Sequence, residues 1–235
     1  MIDFHSHILP GVDDGSKNYE QSKQMLIEAK EAGFDKIIST SHYAYNCYEI
    51  PEYKRKEMIQ ELNQEESVPE IILGSEIFIT YNMIDLLKEF KASTINGTNY
   101  ILFELPLRSE IPNLKDVINR LQENNYRLIL AHPERYLIIQ NDFNYLYKLQ
   151  DMGILFQSNF ASITGYYGHA AKVTVKKMLK NNLVSFLGSD VHRPETIYKL
   201  LPKALKKIGK IVSEDYLEDL TTNNAELVLR NEYID

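Results

Sequence analysis

The sequence predicts an α/β fold, specifically a distorted (β/α)7 barrel of the TIM type. Three observations carry this reading. Seven short apolar runs are spread along 235 residues. Helix-patterned stretches separate most of them, the alternation expected of parallel strands joined by crossovers. Nearly every run ends on a His, Asp or Glu, and parallel α/β folds collect their chemistry at the carboxyl ends of their strands. An eight-stranded barrel takes about 250 residues. Only seven runs stand out here, so seven strands are expected, with a doubly wound open sheet as the alternative.

The first strand is Met1–Phe4, and it leads into His5 and His7. A polar loop, LPGVDDGS, follows. Ser16 is placed to cap a helix whose apolar positions include Met25, Leu26, Ala29 and Ala32, and Gly33 suits that helix's end. Strand two, Lys36–Thr40, leads into His42. A Tyr-rich loop, Tyr43–Glu52, precedes a charged helix running to Gln64. Strand three, Glu70–Leu73, leads into Glu76 and continues as IFIT. A short helix near Met83–Phe90 precedes strand four, Tyr100–Glu104. A Pro-interrupted loop and a helix at Leu114–Asn124 follow, then strand five, Arg127–Ala131, leading into His132. Phe143–Gln150 reads as helix and Ile154–Gln157 as strand six. A helix at Ala170–Lys180 precedes strand seven, Val184–Leu187, which leads into Asp190 and His192. The tail after Pro194 reads as helices. No linker, repeat or low-complexity tract divides the chain, so one domain over 1–235 is expected.

Hydrophobic residues make up 44% of the chain, enough for a substantial core. There are 26 Lys and Arg against 33 Asp and Glu, a formal charge of −7, which disfavours nucleic acid as a partner. Cys47 is the single cysteine, so no internal disulfide can form. The amino terminus starts a strand without a signal peptide, and no apolar stretch approaches the roughly 20 residues of a membrane span. A cytoplasmic protein without membrane insertion is expected.

Six histidines are present, and five lie just beyond inferred strands: His5, His7, His42, His132 and His192. Only His169 falls elsewhere. His5 and His7 are two apart, as are Asp190 and His192, so each pair projects to one side of an extended chain. Glu76 and Glu104 end apolar runs, where a carboxylate is costly unless paired or metal-bound. Asp13 and Asp14 both lie in the first loop, and either could be a ligand. Imidazole and carboxylate donors suit Mn²⁺, Fe²⁺ or Zn²⁺, and the same donor set admits Co²⁺. No thiolate is available, which argues against a structural zinc site. About nine ligands exceed the needs of one ion, so two or three ions sharing carboxylates are expected.

These motifs resemble a known family. MIDFHSHILPGVDDGS, TSH at His42, GSEI at Glu76, the strand to Glu104, AHPER and SDVHRP are similar to the PHP (polymerase and histidinol phosphatase) superfamily. More narrowly they resemble the CpsB/YwqE-type tyrosine-protein phosphatases of bacterial capsule and exopolysaccharide loci. The similarity extends from Met1 to TTNNAELVLRN near the end. The resemblance implies a PHP fold holding three divalent ions, usually manganese. It implies His5, His7, Glu76 and Asp190 around one ion, Glu76, Glu104 and His132 around a second, and Asp14, His42 and His192 around a third. It also implies that Arg135 and Arg193 engage the substrate phosphate, although Arg193 directly follows His192 where the family often inserts several residues. The implied substrate is a phosphotyrosine-containing protein, a bacterial tyrosine autokinase controlling capsule assembly.

Bound cations lower the pKa of water and neutralise phosphate oxygens. Asp190 and His42 stand with the two arginines as the catalytic candidates, and His42 is a candidate to protonate the leaving group. A phenol, with pKa of about 10, needs little such help. A cysteine-dependent phosphatase would need Cys-x5-Arg, but counting from Cys47 that position is Tyr53. Tyr43, Tyr45 and Tyr48, and likewise Tyr166 and Tyr167, are candidates to line the site or to cover the barrel. The alternatives to be weighed are a histidinol-phosphate or other small-molecule phosphatase on the same barrel, and a noncatalytic barrel stabilised by its metals.

Overall fold

A computed structural model describes residues 1–234. Its strands are β1 (Ile2–Ser6), β2 (Lys36–Ser39), β3 (His42–Tyr43), β4 (Glu70–Leu73), β5 (Glu76–Phe78), β6 (Tyr100–Glu104), β7 (Arg127–Ala131), β8 (Leu155–Asn159) and β9 (Phe186–Gly188). All pair in parallel, in two sheets of order β1-β2-β4 and β3-β5-β6-β7-β8-β9. These nine segments make seven staves, because two of the expected strands are interrupted. Below the interruption β2 pairs with β4, Ile38 opposite Ile72; above it β3 pairs with β5, His42 opposite Glu76. The first and last staves meet at a parallel bridge between Ser6 and Val191. There the His7 N–H donates to Val191 O at 3.0 Å and the Asp190 N–H to His5 O at 2.8 Å. The seven-stranded barrel read from the sequence is therefore the observed architecture, and the open sheet is not.

The barrel interior is apolar. Ile2, Phe4, Ile38, Ile72, Leu102 and Phe186 are buried there, with the Phe4 and Phe186 rings stacked 3.9 Å apart. The helix α10 (Asn224–Leu229) seals its lower mouth with Ala225 and Val228. Helices wrap the outside. They include α1 (Tyr19–Glu31), α2 (Glu52–Leu62), α3 (Met83–Lys88), α4 (Leu114–Glu123), α5 (Leu137–Asn141), α6 (Asn144–Asp151), α7 (His169–Lys180), α8 (Leu201–Ile208) and α9 (Glu214–Glu218). No helix among the described residues is long and apolar enough to cross a membrane.

The register of β1 slips between Asp3 and Ser6, where three steps along β1 match two along β2. Such a bulge reverses which side the following residues face. It lets Phe4 fill the barrel interior while the next residue, His5, joins the site above it. The break between β4 and β5 is held from behind by Arg55 of α2, which is almost fully buried. Its Nη1 donates to Gly74 O at 3.2 Å and to Ser75 Oγ, and its Nη2 donates to Lys91 O and Ser93 Oγ, both at 3.0 Å. Burial pushes this guanidinium down to about 10. Ser75 immediately precedes Glu76, so the clamp fixes where that carboxylate emerges.

Three local readings need correction. The cap of α1 is Asn18, whose side chain accepts the Gln21 N–H at 3.0 Å, rather than Ser16. Ser16 is buried and instead donates to Asn18 O at 2.9 Å. Tyr43 belongs to β3 rather than to a loop. Helix α5 was not anticipated, because five residues are too few to establish a helical period. Gly33, with φ of 98°, does end α1 in the left-handed conformation that glycine tolerates.

Candidate metal centre

The nine expected ligands come from the upper ends of the staves and meet in one cluster. At its floor, His5 Nε2 and His7 Nε2 are 3.0 Å apart, and Glu76 Oε2 lies 3.2 and 3.4 Å from them. Asp190 Oδ1 lies 3.7 and 3.4 Å from the same two nitrogens. His132 Nε2 meets Glu76 Oε1 at 2.7 Å. These side chains are buried. Toward the rim, His42 Nδ1 lies 3.1 Å from Glu76 Oε2 and 3.3 Å from Glu104 Oε1. Asp14 Oδ1 sits 3.6 Å from His42 Nε2 and 3.3 Å from His192 Nε2.

Four groups of donor atoms are close enough to share an ion: His7, Asp14, His42 and His192; His5, His7 and Asp190; His5, Glu76 and His132; and His42, Glu76 and Glu104. This differs in detail from the sets implied by the resemblance. Glu104 lies beside His42 rather than His132, and His7 reaches the rim group as well as the floor. Of the two first-loop acids, Asp14 is the one placed among the ligand atoms.

The donor set fits divalent cations. Glu76 Oε2 is buried without a hydrogen-bond partner, and so is His132 Nδ1. An oxygen approached by three imidazole nitrogens matches a shared ion better than a hydrogen-bond network. Cys47 is exposed and outside the cluster.

Supporting groups orient the imidazoles, and two of them, Gln157 and Asn159, were not singled out in the sequence. His5 Nδ1 donates to Gln157 Oε1 at 2.8 Å, and His7 Nδ1 to Asp13 Oδ2 at 2.8 Å. His192 Nδ1 donates to Asp190 O at 2.9 Å. Each partner fixes the tautomer that leaves Nε2 free to bind an ion. Asn159 Nδ2 donates to Asp190 Oδ2 at 2.7 Å. Gln157 and Asn159 end β8 two residues apart, the same spacing as His5 and His7, and that repeat was the signal available in the sequence. Buried Glu134 holds the turn after β8, accepting the Asn159 N–H at 2.9 Å and the Ser162 Oγ–H at 2.6 Å.

The backbone is specialised at the same places. His132 and Asp190 have φ of 35° and 56°, a left-handed conformation costing on the order of 1–3 kcal/mol. At Gly188 a Cβ would come within 2.6 Å of the His5 Cβ, so only glycine lets β9 approach β1 this closely.

Electrostatics follow the geometry. Burial alone would keep His5 and His7 neutral, but Glu76 and Asp190 raise His5, and Asp13 raises His7 well above the usual imidazole range. Burial likewise opposes ionised Glu76 and Asp190. The surrounding histidines, His5 foremost, hold both carboxyls well below the usual range.

Arg135, in the turn after β7, donates from Nη1 to Asp190 Oδ2 at 2.6 Å, and its guanidinium lies over the Tyr167 ring at 4.6 Å. Arg193 turns the other way. Its Nη1 donates to the backbone carbonyls of Asp14 and His192, each at 2.6 Å, and to Gly15 O. Both arginines nevertheless line one cleft of about 280 Å³, with Asp190, His192, Tyr166 and Tyr167 in its walls. The Tyr-rich loop divides its roles. Tyr43 is buried, Tyr45 is exposed, and Tyr48 stacks on His42 at 5.8 Å.

Comparisons with known proteins place the whole chain in a family. A family model described as "Capsular polysaccharide synthesis, CpsB/CapC" matches residues 1–230. Tyrosine-protein phosphatase YwqE of Bacillus subtilis (strain 168) is 32% identical over 238 residues, covering 100% of this chain and 93% of that protein. Tyrosine-protein phosphatase CpsB of Streptococcus agalactiae serotype V is 28% identical over 243 residues, covering 100% of both. Among solved structures, one described with YwqE from Bacillus subtilis and CpsB from Streptococcus pneumoniae as "unique metal-dependent tyrosine phosphatases" superposes with a TM-score of 0.93 at 31% identity. It covers 100% of this chain and 96% of that one. A histidinol phosphate phosphatase from Lactococcus lactis shares the fold alone, with a TM-score of 0.59 at 15% identity, covering 90% of this chain and 94% of that one. With the match running from the first residue to position 230, this chain belongs to the CpsB/CapC family.

Proposed function

We propose that this chain is a metal-dependent protein-tyrosine phosphatase. The observation that carries the reading is the cleft in which Arg135 and the tyrosines Tyr166 and Tyr167 stand directly beside the ligand cluster at Asp190 and His192. When bound, the ions would neutralise phosphate oxygens and acidify a water molecule. His5, His7, Glu76 and Asp190 would hold the inner ion. His5, Glu76 and His132 would hold a second, and His7, Asp14, His42 and His192 a third, with Glu104 adding its carboxylate beside His42 and Glu76, and manganese the expected metal.

The chain's own residues do the rest. Arg135 supplies charge-assisted N–H donors to phosphate oxygens, kept flat by the Tyr167 ring beneath it. Asp190 anchors that guanidinium. Arg193 ties the Asp14 loop to His192, so that it positions rim ligands as well as walling the cleft. His42 has acids near both ring nitrogens and serves as a ligand rather than a proton donor. A phenolate with a conjugate-acid pKa of about 10 leaves without strong acid help, which favours aryl over alkyl phosphates. The expected partner is a tyrosine autokinase governing capsule or exopolysaccharide assembly, in the cytoplasm, with the chain acting as one domain.

The test is a comparison of phosphotyrosyl peptide, phosphoseryl peptide and histidinol phosphate, with manganese and with chelator. Preference for the phosphotyrosyl peptide, abolished by chelator, is the expected result. Preference for histidinol phosphate would replace the substrate, and equal rates with chelator would remove the metal chemistry.

A further inference from the structure

The chain is acidic overall, yet two of its helical segments are strongly basic. Helix α7 reads HAAKVTVKKMLK and residues 201–210 read LPKALKKIGK, together eight lysines without one Asp or Glu. Lys172, Lys176 and Lys180 recur every fourth residue, on one face of α7. With Lys207 and Lys210 opposite, they line a cleft of about 500 Å³ whose apolar surface is Ile163 and Ile211. Lysine–carboxylate pairs among the described residues lie elsewhere, from Lys23–Glu65 to Lys199–Glu195. The Lys207 ammonium is pushed down by desolvation and by Lys172 and Lys203, a sign of crowded like charge. Lys177, Lys180, Lys206 and Lys207 sit in the last turns of their helices, where the dipole favours cations. Lys172 and Lys176 have no such support, and concentrating cations without counter-ions works against folding.

The position matters as much as the charge. The turn Phe160–Thr164 contributes Ile163 to this cleft and leads directly into Tyr166 and Tyr167 of the phosphate cleft. A Cβ at Gly165 would lie 3.7 Å from the Lys172 side chain. On the other side, Thr196 and Ile197 line the phosphate cleft shortly before α8 begins at Leu201. The lysine track therefore starts behind the tyrosine wall and runs away from the metal centre. From Lys172 to Lys180 it extends about 12 Å at the helical rise.

We propose that this lysine-lined cleft docks an acidic segment of the phosphoprotein substrate, several residues removed from the phosphotyrosine. The proposal rests on the phosphatase reading above. The occupant carries Asp or Glu for the lysines and an aliphatic side chain for Ile163 and Ile211. Nucleic acid is disfavoured, because the cleft offers no aromatic platform for bases and no arginine fork. A lipid surface is disfavoured, because Val173 is the one large exposed apolar side chain described on the two helices.

The experiment uses the full chain and the triple variant Lys172→Gln/Lys176→Gln/Lys207→Gln. Substrates are para-nitrophenyl phosphate and phosphotyrosyl peptides that differ only in Glu or Gln at positions flanking the phosphotyrosine at a distance. Fluorescence anisotropy of a labelled, unphosphorylated Glu-rich peptide reads docking independently of turnover. The Glu peptide is expected to show kcat/KM about tenfold higher through KM, the sum of a few exposed ion pairs. That gain and the anisotropy signal are expected to vanish in the triple variant and in high salt, with para-nitrophenyl phosphate turnover unchanged. Equal KM for both peptides, or a preference retained in the triple variant, overturns the proposal. So does variant-sensitive capture by phosphatidylserine vesicles in place of peptide binding. Failure to hydrolyse any aryl phosphate would sink the phosphatase reading instead, while the anisotropy measurement would still decide the docking site.

Discussion

Asp13 and His7 are joined side chain to side chain, Oδ2 to Nδ1 at 2.8 Å, and the same carboxylate oxygen accepts the His42 N–H at 2.8 Å. One buried acid thus orients an imidazole at the floor of the cluster and fixes the backbone of another candidate ligand at its rim. Replacing such a supporting group typically costs 10–100-fold in metal affinity. Asp13→Ala is therefore expected to lower manganese affinity by about that factor. Turnover should be lost at limiting metal and largely recovered at excess. Metal titration by calorimetry checks the first point and steady-state kinetics the second.

The metal-free protein should respond to pH in the opposite sense from the loaded one. Folding raises the pKa values of His5, His7 and His42, because neighbouring acids outweigh burial. A histidine raised in this way stabilises the fold fully below its unfolded value of about 6.5, and that contribution is lost as pH climbs through the folded value. Ions require neutral imidazoles, so metal affinity rises over the same range. The gap in Tm between manganese-loaded and chelated protein is expected to widen from pH 6 to pH 9. Thermal melts at fixed free metal measure it, and a constant or shrinking gap would contradict the histidine ligand set.

The two arginines should fail differently. Arg135→Ala is expected to keep its metal content and lose roughly 10–100-fold in kcat/KM, since a charge-assisted contact to the reacting phosphate is removed. Arg193→Ala should instead release the Asp14 loop, lowering metal affinity about tenfold or more. Metal content measured beside kinetics separates the two. Equal metal loss in both variants would make Arg135 a structural residue.

Beneath the site, Asp3 fastens the first stave to the last. Its carboxylate accepts the Ser189 N–H at 2.7 Å and the Tyr198 hydroxyl at 2.8 Å. Tyr198→Phe should cost about 1–2 kcal/mol, because a buried acceptor loses its partner. That corresponds to a Tm lower by roughly 2–8 °C at this chain length. Calorimetry of the loaded protein checks it, and an unchanged Tm would mean that barrel closure does not depend on this bond.

Strand positions were legible because buried parallel strands are continuous apolar runs, as in YILFE and RLILA. The candidate ligands stood out because a charged or polar side chain at the end of such a run is costly unless paired or metal-bound. The interruptions at Thr40–Ser41 and Gly74–Ser75 were less so. Local sequence shows the small residues but not the Arg55 clamp, which comes from a different helix. Asp13 and Asp14 looked alike in the chain, and only the fold separates them, turning one toward His7 Nδ1 and the other toward His42 and His192. The orientation of Arg193 was likewise invisible, because two of its three carbonyl partners lie nearly 180 positions away.

The central claim is that side chains from His5 to His192 converge on shared cations that drive phosphotyrosine hydrolysis. It is tested most directly by elemental analysis of manganese-reconstituted protein, paired with phosphotyrosyl-peptide turnover, for the wild type and Glu76→Gln. The wild type is expected to retain about three ions per chain after desalting. Its turnover should stop with chelator and return with manganese, and Glu76→Gln should lose both ions and activity. Undiminished turnover in metal-stripped protein, or a Glu76→Gln variant that keeps its full ion content and rate, would contradict it.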